Sequence, residues 1–328
     1  MCNHLFARDL GAYAAYVDNS DDILMSASGG VATAFAKHVI RQGGVVAGVA
    51  YNNDFSGAEY ILVDHLDEVD KLRGSKVVPA ATNNIFEKVA CEAVKGRFVL
   101  FFGLPCMIAV AKQRLKPYSD SIIFCELICS GRTFARVHKD YCSYLQTKFN
   151  AKLTSFSVRT KKDSWLPEYL FATFSNGKQF IHPFKRTEYG QGFKILKHDS
   201  CLDCSFKGDK RQGDIMIGDF WGAKPDDNFW NGRGVSAVLV ETRKGMDFFM
   251  SVGGLNRFET TIDRIISGNP SVIKSPAVHR ERGMLIDLFR REGLFPAMKN
   301  SKTMRYIRLE DKLKKIHLAF FIKIIKKL

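Results

Sequence analysis

The first 150 residues alternate short apolar runs with segments whose apolar positions recur every three or four residues. Residues 23–44 open on a Ser/Gly turn, after which Val31, Ala34, Phe35, Val39 and Ile40 fall on one helical face. Gly43-Gly44 ends that helix, and residues 45–51 read as a buried strand. Further strands are expected at 60–63, 98–102 and 121–129, and further helices at 86–94, 107–115 and 133–149. That order implies an α/β architecture with a largely parallel sheet.

Beyond residue 150 the pattern becomes strand-rich and implies an α+β second half. Strands are expected at 153–158, 168–174, 179–182, 214–219 and 235–241, with Asn176-Gly177 as a hairpin turn. The expected organisation is a short N-terminal segment (1–11), an α/β lobe (12–150), a strand-rich lobe (151–265) and a helical basic tail (266–328). The division at 150 separates two lobes of one body rather than two independent domains.

The tail changes the picture of charge. Residues 299–328 hold ten Lys/Arg against two acidic residues, a net of +8 within a chain total of +15. Leu313, Ile316, Phe320, Phe321, Ile324 and Leu328 share one helical face, with Lys312, Lys315, Lys323, Lys326 and Lys327 mostly elsewhere. Such a helix suits an anionic membrane surface, and equally the enzyme body or a partner. No nucleic-acid-binding motif accompanies the charge, so nucleic acid is not an expected partner.

A chain of 328 residues with 46% apolar content can bury one large core or two moderate ones. No run approaches the roughly 20 apolar residues a spanning helix needs. Residues 1–10 lack a basic region followed by an apolar core, so secretion is not expected. The expected location is cytoplasmic, with contact at the inner membrane face left open by the tail. Eight cysteines then read as thiols or metal ligands rather than a disulfide framework.

Cys201-Leu202-Asp203-Cys204 lets two thiolates reach one metal centre. Cys106 sits where a strand turns into a helix, behind Pro105, which suits that turn. A helix N-terminus stabilises a thiolate, so Cys106 should deprotonate readily, as a metal ligand or as a nucleophile. Cys129 ends the 121–129 strand. Ligand sites in open α/β sheets lie at the carboxyl ends of strands, so Cys106 and Cys129 are expected at one cleft. Together Cys106, Cys129, Cys201 and Cys204 suit a zinc ion or an iron–sulfur cluster. Lys207, Lys210 and Arg211 would offset the charge of a thiolate-ligated cluster, and the surroundings favour the cluster. Cys91, Cys125 and Cys142 read as small buried hydrophobes. Cys2 lies near the chain end.

Two glycine-bearing motifs add a second chemistry. Ser28-Gly29-Gly30 opens the helix after residue 30, where backbone amides favour phosphate; the structural reading is a serine cap with a glycine turn. Arg73-Gly74-Ser75-Lys76 places two cations and a hydroxyl around a glycine, a basic surface turn by itself.

These motifs occur in a fixed order: Ser26-Ala27-Ser28-Gly29-Gly30, Arg73-Gly74-Ser75-Lys76, Gly103-Leu104-Pro105-Cys106, Cys201-Leu202-Asp203-Cys204, Gly218-Asp219-Phe220-Trp221-Gly222 and Asn231-Gly232-Arg233-Gly234-Val235-Ser236. An apolar strand and Thr242-Arg243-Lys244-Gly245 follow. The set resembles the beta-subunit family of coenzyme F-420 (deazaflavin) hydrogenases and dehydrogenases, over roughly residues 12–250. That family includes iron–sulfur flavoprotein reductases, among them chlorophyll-pathway enzymes, and members in polysaccharide gene clusters. The resemblance implies a cytoplasmic oxidoreductase with a 4Fe-4S cluster on the four cysteines. It also implies FAD or FMN, with Ser28, Gly29, Gly30, Arg73, Gly74, Ser75 and Lys76 at its phosphate or ribityl part. A ferredoxin-like carrier is the implied electron source. A small molecule, such as a nucleotide-sugar or glycan intermediate, is the implied substrate. Two departures stand out. Related chains resemble Cys-His-Gly where this one has Cys129-Ser130-Gly131, and many carry an N-terminal ferredoxin-like segment where this sequence has only Cys2. The alternative reading is a zinc-stabilised or metal-free scaffold that has kept the fold and lost the redox function.

Overall fold

The computed structural model describes residues 10–315. Its strands, in chain order, are β1 (Gly11–Val17), β2 (Val45–Tyr51), β3 (Ala58–Val63), β4 (Ala80–Ala81), β5 (Val99–Gly103), β6 (Ile122–Leu127), β7 (Leu153–Thr160), β8 (Tyr169–Phe174), β9 (Gln179–Pro183), β10 (Ile215–Asp219), β11 (Ser236–Val240) and β12 (Leu255–Glu259). Nine of them form one sheet in the order β12-β1-β11-β10-β6-β5-β2-β3-β4, and β7-β8-β9 form a second, antiparallel sheet.

The middle of the large sheet is parallel: β10, β6, β5 and β2 run side by side in one direction. Its near-continuous apolar strands explain that placement. β5 (VLFFG) is buried throughout, and β6 (IIFCEL) is buried up to Cys125 and Glu126. Successive side chains alternate between faces. Leu100, Phe102, Ile123 and Cys125 pack under the helix Val31–Arg41. Val99, Phe101, Ile122 and Phe124 pack under the helices Ile85–Val94 and Pro105–Arg114.

β11 runs antiparallel to both β10 and β1, so β1 points the same way as the parallel set. The carboxyl ends of β1, β10, β6, β5 and β2 therefore share one edge. The three-stranded sheet packs with Ala135–Phe149 and the helices of residues 282–315 in a second core, which also takes in Tyr51 and Phe55 at and just beyond the end of β2.

Several expectations shift. β1 (GAYAAYV) carries no strong strand signal, because alanine is depleted in strands; pairing with β11 and β12 on both sides makes it one. β10, β11 and β12 return to the large sheet, so that sheet spans the division drawn at residue 150. β6 stops at Leu127, leaving Cys129 in the loop beyond it. Cys125 and Cys142 are buried as expected, but Cys91 is exposed on its helix. The tail contributes the helix Lys302–Lys315, and the apolar face expected at 316–328 lies outside the described residues, as does Cys2. Among the described residues no helix is long and apolar enough to cross a membrane.

Candidate functional site at the carboxyl edge

The SxSGG, Arg73-Gly74-Ser75-Lys76, cysteine, Gly218–Gly222 and Asn231–Ser236 motifs are delivered to this edge or linked to it, whereas Thr242-Arg243-Lys244-Gly245 follows β11 at the opposite edge, beside Asp214 and the start of β6. SxSGG follows β1, Asp219 ends β10, Cys129 follows β6, and Cys106 follows β5 in the first turn of the helix Pro105–Arg114.

Cys201 and Cys204 are brought to the same place by the loop that runs into β10. Arg132 N–H donates to Cys201 Sγ (3.5 Å), and Gly131 N–H donates to Cys129 Sγ (3.3 Å). Gly131 needs to be glycine: its φ is +87°, and a Cβ there would lie 3.1 Å from Cys201 Cβ. Lys207 ties the two halves together, its amine donating to the carbonyls of Cys129 and Ser271. Lys197 donates to the Gly131 carbonyl (3.0 Å).

The thiols interact electrostatically. Partial burial of its sulfur, followed by the negative potential of Cys129, pushes the Cys106 thiol up, with Cys204 and Cys201 adding and Arg132 opposing. Burial likewise pushes Cys129 up, against its bond from Gly131 and the charge of Lys207. Against the expectation that the helix N-terminus would leave Cys106 easily deprotonated, desolvation and the neighbouring thiols push it up. A bound metal reverses that balance, because a coordinating thiol is deprotonated outright. Burial pushes the Lys197 amine down to about 8, opposed by Cys129 and Cys201. Among the described residues no three His, Cys, Asp or Glu side chains stand close enough to hold a single metal ion. The donor set nonetheless fits a thiolate-ligated group: four sulfurs at one edge, N–H donors to two of them, and Lys197, Lys207 and Arg132 around them.

The loop is held from behind by a buried ion pair that sequence reasoning missed. Glu126, fully buried near the end of β6, meets Arg211 Nη1 at 3.1 Å, and its other oxygen accepts from the Gln212 and Gly213 amides at 3.4 and 3.3 Å. Arg211 Nε also donates to the Val272 carbonyl (3.1 Å), and Cys204 N–H donates to Ser275 Oγ (2.9 Å). Residues 204–213 are thereby strapped between β6 and the 270–275 turn.

On the other side of the edge, the SxSGG loop lies flat on β1 and β11. Ser28 Oγ donates to the Val235 carbonyl (2.8 Å), Gly29 N–H donates to Ser236 Oγ (3.0 Å), and Val17 N–H donates to the Gly29 carbonyl (2.9 Å). A Cβ on Gly29 would lie 2.4 Å from the Ala15 carbonyl oxygen, so packing alone demands this glycine. Gly30, at φ +84°, caps the helix with no side chain of its own, which leaves the first amides of that helix to other acceptors.

Arg73 joins this loop through Asp22, at 2.6 Å, and pairs with Asp70 at 2.7 Å. Burial would raise the Asp22 carboxyl, but its bonds from Lys37 and Arg73 prevail and hold it below the usual carboxylate value. Ser75 Oγ accepts from Arg159 Nη1 (3.1 Å). Lys76 is not presented as expected: its amine turns back onto the carbonyls of Lys71 (2.9 Å) and Arg73 (2.6 Å), and burial pushes it down to about 7. Arg73 Nη1, Asp219 Oδ1 and Trp165 Nε1 are buried here with no hydrogen-bond partner among the described residues. Buried groups of this kind are ordinarily satisfied, by a ligand where protein does not reach. A cleft of ≈ 390 Å³, lined in part by Asp18, Asn19, Lys37, His38 and Arg41, opens beside Asp22, the residue through which it meets the Arg73 network.

Arg159, Lys161 and Glu168 also belong to the edge and went unread. They come from the far end of the three-stranded sheet, and only the cationic run Arg159-Thr160-Lys161-Lys162 signalled them. Arg159 pairs with Glu168 and with Asp219, both at 2.5 Å, and covers the ring of Trp221, which stacks on Trp165 at 5.0 Å.

An open α/β sheet with thiols, glycine loops and paired cations gathered at its carboxyl edge is the ligand-binding layout of this fold class. Residues 96–261 match the family model for the C terminus of the coenzyme F420 hydrogenase/dehydrogenase beta subunit, and residues 12–87 match the model for its N terminus. The chain belongs to the coenzyme F420 hydrogenase/dehydrogenase beta-subunit family, an oxidoreductase-type family. Its fold is similar to a chain of the F420-reducing [NiFe] hydrogenase complex from Methanosarcina barkeri, with a TM-score of 0.53 and 15% identity, covering 81% of this chain and 92% of that one. No curated protein matches.

Proposed function

We propose that this chain is an iron–sulfur flavoprotein oxidoreductase that takes electrons from a ferredoxin-like carrier and delivers them to a small-molecule substrate. The observation that supports it is that Cys106, Cys129, Cys201 and Cys204, from three separate segments, lie near enough to act on one another electrostatically at the carboxyl edge of a chain in this family. Cys106, Cys129, Cys201 and Cys204 are the residues that would hold a 4Fe-4S cluster, and Ser28, Gly29, Gly30, Arg73 and Ser75 those that would border FAD or FMN. When bound, the cluster supplies one-electron transfer and the flavin couples it to two-electron chemistry. The protein's part is placement. Gly131 and Arg132 direct N–H groups at two sulfurs, Lys197 and Lys207 hold positive charge beside them, and Arg73 leaves a buried donor for an acceptor on the ligand.

Anaerobic purification followed by iron, sulfide, zinc and flavin analysis tests this. The expected result is a brown protein with about four irons and four sulfides per chain, as for a 4Fe-4S cluster, together with flavin. A colourless protein holding zinc, or no metal, would establish the scaffold reading instead.

Flavin retention separates the two basic residues. Arg73→Ala is expected to lower bound flavin severalfold, because it removes a buried donor and a charge-assisted contact. Lys76→Ala is expected to have the smaller effect, because Lys76 serves its own turn. Flavin released by heat and measured by fluorescence gives both values. Equal retention in Arg73→Ala and wild type would make this motif a structural turn.

A further inference from the structure

We propose that Lys161, aimed by the irregular end of β7, is a positioning residue for the phosphate-bearing part of the ligand at the SxSGG loop. The proposal rests on the flavin reading above and adds to it a residue outside every motif of the sequence.

The backbone supplies the aim. The pairing of β7 with β8 slips between Val158 and Thr160, and Arg159, at the slip, sits at φ +61°. That conformation is unfavourable for a residue with a Cβ and persists only where its surroundings hold it. Bulges of this kind re-aim side chains next to active sites. Here the slip sends Arg159 and Lys161 out of the small sheet onto the edge of the large one.

The two side chains reach four motif loops. Arg159 bonds to Ser75 and Asp219. Lys161, 6% exposed, donates to the carbonyls of Ile23 (2.8 Å) and Ser28, on both sides of the turn into SxSGG. It also lies against the Asn231-Gly232-Arg233-Gly234 turn: at Gly234, φ +137°, a Cβ would stand 2.7 Å from Lys161 Nζ and 2.9 Å from the Ser28 carbonyl oxygen. The two carbonyls take two of the three ammonium donors. With those carbonyls gathered by a cation, and the Gly29 amide held by Ser236, the start of the helix after Gly30 is left for an anion.

Charge supports the geometry. Burial pushes the Lys161 amine down to about 7; Asp219 and Glu168 oppose this, and Arg159 adds to it. Near neutral pH the amine is charged in only part of the molecules. An anionic ligand favours the charged form, so its affinity should be highest below pH 7 and fall as the pH rises through the amine's own value.

The test is direct binding of FAD and FMN to the full-length chain after flavin removal, followed by fluorescence from pH 6 to 9, with circular dichroism as the folding check. Lys161→Met is expected to weaken flavin binding at least tenfold at pH 6.5. Lys161→Arg, charged throughout, is expected to bind as wild type at pH 6.5 and to lose the decline toward pH 9. A folded Lys161→Met that binds as wild type overturns the proposal. So does Lys161→Arg with the wild-type pH profile, which decides the matter if the methionine variant does not fold. Wild-type protein that binds neither FAD nor FMN overturns the flavin reading itself, and this inference with it.

Discussion

Serine in place of Cys129, Cys201 or Cys204 is expected to reduce bound iron from about four per chain to below one, on the premise that each thiolate of a 4Fe-4S site holds its own iron. Cys129 should be the most damaging of the three. Its carbonyl anchors Lys207, and its loop carries both N–H groups that point at sulfur. Cys106→Ser should retain more, since that residue reaches the surface and a water can take its place. Cys142→Ser is the control: that thiol lies against His138 in the second core, 3.5 Å from the imidazole, and a hydroxyl fits the same contact. Iron and sulfide assays with visible absorbance under anaerobic conditions check the series. If Cys129→Ser keeps its full iron content, the four-cysteine set is wrong.

The parts of this molecule legible in the sequence are those written locally. The apolar runs of β5 and β6 and the helical stripe of Val31, Phe35 and Val39 depend on neighbours one to four positions away; all three form, with β6 ending two residues before its expected end. The cysteines stand out in the sequence because thiols carry their own chemistry and strand ends have a known use. The clamps do not. Glu126 sits within an apolar strand and Arg211 stands 85 residues away, in a run of surface-like polar residues. Nothing local distinguishes a buried ion pair from two solvated charges. Lys161 was hidden for the same reason, and its direction depends on a slip in strand pairing that leaves no mark on side-chain chemistry. Lys76 shows how a turn can engage a cation that the sequence offers to a ligand. Its type suits phosphate, but two of its three ammonium donors go to carbonyls of its own turn.

Breaking the Glu126–Arg211 pair should cause the largest loss of stability of any single change on this edge. Arg211→Met removes a guanidinium that neutralises a fully buried carboxylate and also binds the Val272 carbonyl. Removing one partner of such a pair costs about 3–5 kcal/mol, because the other charge is left buried and uncompensated. Two backbone amides at 3.3–3.4 Å are poor substitutes for it. The carboxyl has an escape, which sets the sign of the pH dependence. Burial already pushes Glu126 up and Arg211 chiefly opposes it; without Arg211 the carboxyl rises further and takes up a proton. The penalty is then fully present above the new folded value, shrinks as the pH falls below it and is gone below the unfolded value, so Arg211→Met should lose more stability at pH 8 than at pH 5. Glu126→Gln/Arg211→Met should be less destabilised than the sum of its single changes, since the pair is coupled. Urea unfolding of the four proteins at both pH values provides the measurement. A loss under about 1 kcal/mol in Arg211→Met, the size of a solvent-screened surface pair, would mean that residues 204–213 are held by the 270–275 turn instead. In that case the loop's hold on Cys204 is expected to depend on Ser275, whose hydroxyl receives the Cys204 amide.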